Sequence, residues 1–291
     1  MLLRTSVSKL TILFALILVM FCALPGCDDY DTNVVGTNFS PYNSLVSRFV
    51  HPVFVEFRGG GVRVWGPNAQ LVSAERNGGR ISITSMDDSL ALVVYGNAVG
   101  DSLQPLDGQL KVVMENDFAI YLNGLNLHSK NGPAIEVQAD DANCYLVVSN
   151  SSTNVLSDTV YQTQYANGAI QEADGCLYVS GVLYMDGKGT LTLNNHALPR
   201  WDSDWGDSVY THALYAKGGM ICNYALTANL TSLYGDAIHT GGAQVRLVKG
   251  IWNLYPGRDT INTGGADIIV GDTATIYVND SICTAFKYNN E

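Results

Sequence analysis

The sequence predicts an all-β protein and, within that class, a parallel β-helix: a solenoid with coils of about 21–24 residues. Texture is the first ground for this. From residue 51 onward short runs alternate apolar and polar side chains, as in Val62-Arg63-Val64-Trp65, Ile81-Ser82-Ile83-Thr84, Leu110-Lys111-Val112-Val113 and Ile120-Tyr121-Leu122. Gly, Asn and Asp punctuate the runs, as turns between strands require. A repeat is the second ground. Asp236-Ala237-Ile238-His239-Thr240-Gly241-Gly242 recurs about 23 residues later as Asp259-Thr260-Ile261-Asn262-Thr263-Gly264-Gly265. His212-Ala213-Leu214-Tyr215-Ala216-Lys217-Gly218-Gly219 precedes them by about 24 residues, and Asp280-Ser281-Ile282-Cys283-Thr284 follows by about 21. The third ground is that each repeat holds three strand-like pieces: 237–239, 244–248 and 251–255 in one copy, 260–262, 267–270 and 275–278 in the next.

One such coil cannot bury its apolar side alone. Stacked coils can, with Leu214, Ile238, Ile261 and Ile282 above one another in an inward ladder. A propeller blade needs about 40 residues and four strands. An antiparallel sandwich gives no reason for Asp-x-Ile at a fixed period. Asn123, Asn126, Asn154 and Asn194 fall where stacked amides would brace the coil corners.

The amino terminus reads as targeting sequence. Arg4 and Lys9 precede an apolar run from Leu10 to Leu24. That run is shorter than the roughly 20 residues of a membrane-spanning helix and suits the apolar region of a signal peptide. It ends in Leu24-Pro25-Gly26-Cys27, which resembles the bacterial lipobox, whose cysteine thiol takes a diacylglyceryl group as a thioether. The expectation is a signal peptide over 1–26, cleavage before Cys27, and a lipoprotein of the bacterial cell envelope held at a membrane by lipid on Cys27. The outer membrane or cell surface is favoured over the inner membrane. Residues 27–50 read as a flexible tether, opening Asp28-Asp29-Tyr30-Asp31, and residues 51–291 as the folded domain.

The formal net charge is −11, and loss of Arg4 and Lys9 makes the remainder more acidic still. A nucleic-acid partner, which needs a basic face, is excluded on that ground. Cys144, Cys176, Cys222 and Cys283 sit in apolar runs without CxxC or Cys/His metal spacing, so they read as buried free thiols.

The segment 196–212 is long and unlike the tight turns elsewhere, and insertions in a repeat array tend to carry binding. Trp201 and Trp205 could form a platform for apolar sugar faces, with Asp202 and Arg200 bonding hydroxyls. Asp202, Asp204 and Asp207 could instead gather calcium, which takes hard oxygen ligands. Asp236 and Asp259 should lie about 5 Å apart on adjacent coils, where a cation between them would relieve their repulsion. Calcium is therefore the candidate cofactor. A β-helix lyase needs a basic residue as proton acceptor. Arg200 is the one such candidate near carboxylates, while His196, His212 and His239 form no nucleophile triad.

Ile120-Tyr121-Leu122-Asn123-Gly124-Leu125-Asn126-Leu127, then Gly132-Pro133-Ala134-Ile135-Glu136-Val137, Ser152-Thr153-Asn154-Val155-Leu156-Ser157-Asp158, Gly175-Cys176-Leu177-Tyr178 and Gly187-Lys188-Gly189-Thr190-Leu191-Thr192-Leu193 follow one another in the order of a known signature. Together they resemble the carbohydrate-binding β-helix family of secreted and lipoprotein-anchored bacterial proteins, whose fold is similar to polysaccharide lyases. The resemblance implies a right-handed parallel β-helix that binds polysaccharide, with calcium ions and without clear catalysis. The family's Asp-Gly-Ile turns stand here as Asp236-Ala237-Ile238 and Asp259-Thr260-Ile261. The alternatives are a β-helical polysaccharide lyase or hydrolase and a structural or adhesive surface rod.

Overall fold

The structure is a computed structural model that describes residues 46–59, 61–96, 104–159, 174–202 and 206–283. The signal segment, Cys27, Asp204 and Trp205 lie outside the described residues, which all belong to one unit, Ser40–Glu291. Among them no helix is long and apolar enough to cross a membrane.

Twenty-four strands are described: β1 His51–Arg58, β2 Gly61–Trp65, β3 Ser73–Asn77, β4 Arg80–Ser85, β5 Leu90–Gly96, β6 Leu106–Asp107, β7 Gln109–Met114, β8 Phe118–Ser129, β9 Ile135–Gln138, β10 Asn143–Val148, β11 Thr153–Asp158, β12 Gly175–Val179, β13 Val182–Gly187, β14 Thr190–Asn195, β15 Arg200–Asp202, β16 Asp207–Val209, β17 His212–Ala216, β18 Met220–Cys222, β19 Thr227–Ser232, β20 Ile238–His239, β21 Val245–Tyr255, β22 Ile261–Asn262, β23 Ile268–Val278 and β24 Ser281–Ile282. The alternating runs read from the sequence all fall on strands. Alternation puts one set of side chains inward and the next outward.

An eight-stranded sheet runs β22-β20-β17-β12-β9-β7-β4-β3, parallel except for its β3–β4 edge. A fourteen-stranded sheet holds β10-β13-β18-β21-β19-β14-β11-β8-β5-β1-β2 with β6, β23 and β24 attached. Its long strands pass from one column of partners to the next. β8 pairs first with β10 and then with β11, and β21 pairs first with β18 and then with β19. Both sheets contribute to one hydrophobic cluster, with Leu110, Ile135, Leu177, Leu214 and Ile238 from the smaller and Leu92, Ile120, Leu146 and Leu183 from the larger. Each fully buried aliphatic side chain stabilises the fold by about 1.5–3 kcal/mol.

This topology overturns the expected right-handed β-helical solenoid with coils of 21–24 residues. The chain forms an eight-stranded, mainly parallel sheet plus a large mixed sheet, with antiparallel pairs at β1–β2, β3–β4, β15–β16 and β23–β24. The spacing is not uniform along the chain. Neighbouring strands bond across 24 and 23 residues at His212/Asp236 and Asp236/Asp259, but across 41 at Ala139/Ser180 and 37 at Asp158/Asn195. Leu214, Ile238 and Ile261 do stand in register and inward. Ile282 does not: β24 folds back antiparallel on β23, and Ile282 is 61% exposed.

Residues 46–49, within the span expected as tether, pack on the body. Val46 and Phe49 are buried, and the Phe49 ring lies 5.2 Å from that of Tyr145. Of the asparagines expected at corners, Asn154 braces one by a different bond. Its Oδ1 accepts the N–H groups of Gly124 and Leu125, both at 2.9 Å. Gly124 there has φ +77°, a conformation that glycine adopts at least cost. An amide ladder stands elsewhere, where Asn253 Nδ2 donates to Asn229 Oδ1 at 2.7 Å and Asn229 Nδ2 donates to Thr192 Oγ1 at 3.2 Å. Cys144, Cys176 and Cys222 are free and buried, and Cys283 is free and partly exposed.

Candidate functional site

The outward face of the eight-stranded sheet carries a row set by register: Ser82, Lys111, Glu136, Tyr178, Tyr215, His239 and Asn262 each stand beside the next. Each from Lys111 to Asn262 follows an inward residue of the core ladder: Leu110, Ile135, Leu177, Leu214, Ile238 or Ile261. Strand alternation alone therefore turns the row to the opposite side.

Its first part is charged. Lys111 Nζ lies 2.9 Å from Glu136 Oε1, and Gln138 Nε2 donates to the same oxygen at 2.8 Å. Glu136 is almost closed to water. Burying a carboxyl group is costly unless its oxygens find such partners.

Its second part is aromatic. Tyr178 and Tyr215 meet edge to face at 5.5 Å, and Tyr215 meets His239 at 4.8 Å and 82°. His239 stacks on His212 with centroids 4.1 Å apart and planes 11° apart. Burial raises the Tyr178 phenol well above its ordinary range, so it is a neutral hydroxyl at every physiological pH.

Asp236 lies beneath the two imidazoles. Its Oδ2 is 2.7 Å from His239 Nδ1 and 3.3 Å from His212 Nδ1, and its backbone N–H donates to His212 Nδ1 at 3.0 Å. Burial pushes the His212 imidazole down to about 3, with His239 adding in the same direction and Asp236 opposing. Burial also opposes charge on Asp236, but the His239 hydrogen bond and the nearby imidazoles outweigh it and hold this carboxyl below its usual range.

The predicted pair Asp236 and Asp259 is adjacent and joined through the backbone. Asp259 offers its backbone N–H to Asp236 Oδ1 at 3.0 Å, and its own Oδ2 accepts from Asn262 Nδ2 at 3.3 Å. Among the described residues a group of three His/Cys/Asp/Glu side chains close enough to hold a metal is His212, Asp236 and His239, with one ligand atom from each lying within 4.8 Å of the others. Sequence reasoning dismissed both histidines because it sought a nucleophile triad. The available signal was that His212 takes the repeat position held by Asp236 in the next copy, and that His239 directly follows Asp236-Ala237-Ile238.

The insertion forms a small antiparallel ribbon, with Arg200 opposite Val209, Trp201 opposite Ser208 and Asp202 opposite Asp207. Trp201 is 65% exposed, as a platform requires. Asp207 Oδ1 accepts the Ser208 N–H at 2.7 Å. The ribbon brings Asp202 and Asp207 opposite one another along the backbone, while Asp204 and Trp205 fall outside the described residues. Immediately after the ribbon the Arg258 guanidinium lies 4.3 Å over the Tyr210 ring, and the chain enters β17 at His212.

A separate cleft of about 550 Å³ lies around Arg58, Arg80, Asp107 and Lys130. Much of its charge is already matched. Lys130 pairs with Asp107 at 2.7 Å and Arg58 with Glu56 at 2.6 Å.

No curated protein and no solved structure matches the chain. A family model described as "Carbohydrate-binding domain-containing protein" matches residues 102–267. That span covers more than half of the chain and takes in the Tyr178–Tyr215–His239 row and the Trp201 ribbon, and the chain belongs to this carbohydrate-binding family.

Proposed function

We propose that this chain is an exported cell-envelope lipoprotein that binds polysaccharide without catalysis. The observation that carries the reading is the match of residues 102–267 to a carbohydrate-binding family. Trp201 is the proposed stacking platform, because its indole is exposed on a ribbon whose backbone bonds hold it. Arg200 and Asp202 on the same strand, and Trp205 in the same insertion, would supply further contacts to the sugar. The outward tyrosines and His239 extend a polar, aromatic surface suited to sugar hydroxyls and apolar sugar faces. Calcium assistance is proposed at the carboxylates of the ribbon, Asp202, Asp204 and Asp207, since oxygen-only ligands suit that ion. Lipid on Cys27 would hold the protein at the outer membrane or cell surface, as the sequence Leu24-Pro25-Gly26-Cys27 supports.

Glycan-array binding with and without a calcium chelator tests the reading. Binding to at least one polymer, weakened in Trp201→Ala, is the expected result. An array blank under both conditions would refute it. Palmitate labelling tests the anchor separately: label should enter the wild type and not Cys27→Ala.

A further inference from the structure

We propose that His212, Asp236 and His239 bind a divalent transition metal of the Zn²⁺ type, at a site distinct from the carboxylates proposed for calcium. This does not rest on glycan binding.

The three residues converge from the starts of the neighbouring strands β17 and β20. Asp236 Oδ2 lies 2.7 Å from His239 Nδ1 and 3.3 Å from His212 Nδ1. Ligand atoms around a tetrahedral Zn²⁺, each at 2.0–2.1 Å, stand roughly 3.3 Å apart. Two of the separations are close to that value and all three ligand atoms lie within 4.8 Å of one another, so the ligands are near enough but the rings must reorient. Metal entry replaces the Asp236–His239 hydrogen bond, takes over the His212 lone pair that the Asp236 N–H now uses, and turns the two rings out of their stack.

The donor set points to the kind of ion. Two imidazoles and one carboxylate suit Zn²⁺, Cu²⁺ or Ni²⁺. Calcium takes six to eight oxygens, and this cluster offers one carboxylate. One oxygen of that carboxylate, Oδ1, already accepts the Asp259 N–H at 3.0 Å, which leaves Oδ2 turned toward the rings. Such an outer partner orients a ligand and raises its affinity.

The surroundings fit a site with one open side. Tyr215 stands edge-on to both rings, at 5.7 Å from His212 and 4.8 Å from His239, and forms a wall. The Asp236 and His212 side chains are nearly closed to water, while His239 is 24% exposed. An ion would enter past His239, and three protein ligands leave a fourth position for water or an incoming oxygen.

The test is calorimetric titration of ZnCl₂ into the purified, metal-stripped protein without a polyhistidine tag. One Zn²⁺ per chain is expected, unaffected by a hundredfold excess of CaCl₂. His239→Ala should weaken it at least tenfold, and His239→Cys, which restores a ligand, should recover most of the loss. Because a variant can fail to fold, ring ¹⁵N shifts of the wild type provide an independent readout. They should change on Zn²⁺ addition at His212 and His239 and not at His51, His128 or His196. Absence of stoichiometric Zn²⁺ binding, equal affinity in His239→Ala, displacement by calcium, or shifts at the other three histidines instead would each overturn the proposal.

Discussion

Asn195 donates its side-chain amide to both oxygens of the Asp158 carboxyl group, at 2.9 and 3.1 Å, with both residues closed to water. Burial pushes Asp158 up to about 7, against the pull of the Asn195 amide and the His196 N–H. The folded protein therefore holds a proton that the unfolded chain releases near the ordinary carboxyl value of 3.8. Below that pH both states are protonated and the contribution is whole. As pH rises from about 4 to about 7 the unfolded chain loses its proton first, so stability falls, and above about 7 the effect levels off. Melting temperature followed from pH 5 to 7.5 should drop in the wild type and drop less in Asp158→Asn. Asp186, pushed up to about 6 by burial, leaves a smaller slope of the same sign. Equal slopes in the two proteins would refute this account.

Trp201 is exposed and lies on a two-stranded ribbon, so removing its indole should leave the fold almost untouched. Trp201→Ala is expected to melt within a degree or two of the wild type. Its retention on a bound polysaccharide should fall about tenfold, the equivalent of about 1.4 kcal/mol. Affinity electrophoresis beside a thermal melt reads both quantities, and unchanged retention would remove the platform.

Asn154→Ala should be costly. The substitution leaves the Gly124 and Leu125 N–H groups without their acceptor at a closed corner. Orphaned buried donors cost about 1–3 kcal/mol each, so a loss of about 2–4 kcal/mol is expected from denaturant titration. Asn154→Asp retains an acceptor oxygen and should fall between the two.

Three thiols should be inert in the folded protein. Burial pushes Cys222 up to about 12 and raises Cys144 and Cys176 further above the ordinary thiol range. The thiolate is the reactive species. Iodoacetamide followed by peptide mass mapping should modify Cys283 in native buffer and the other three only in denaturant. Native labelling of Cys176 would contradict the packing described.

Local structure was legible in the sequence because a strand's alternation is a local property. Val62–Trp65, Ile81–Thr84 and Leu110–Val113 were each readable, as was the inward register of Leu214, Ile238 and Ile261. Global organisation was not legible. The repeat spans only the strands with short connections, while the 37-residue step from Asp158 to Asn195 depends on pairing that no local pattern records. Ile282 shows the same failure in miniature: it has the repeat's sequence but folds back on β23. The ribbon that carries the exposed Trp201 could be found because an insertion is visible as an interruption. Glu136, Tyr178, Tyr215 and His239 become a row only once the registers of separate strands are known. The two histidines need the fold as well, since Asp236 meets one imidazole three residues on, from β20, and another from the neighbouring strand β17.

β8, β21 and β23 each run through two columns of the large sheet, and β21 pairs with β23 from Val245/Ile268 to Leu254/Val278 across one irregularity. They act as cross-ties in the mechanical sense. Sliding one column past the other would require these strands to shear two ladders together rather than peel one bond at a time. Strain on the sheet would then be shared between both columns, whereas the short ribbon that carries Trp201 is held by three residue pairs.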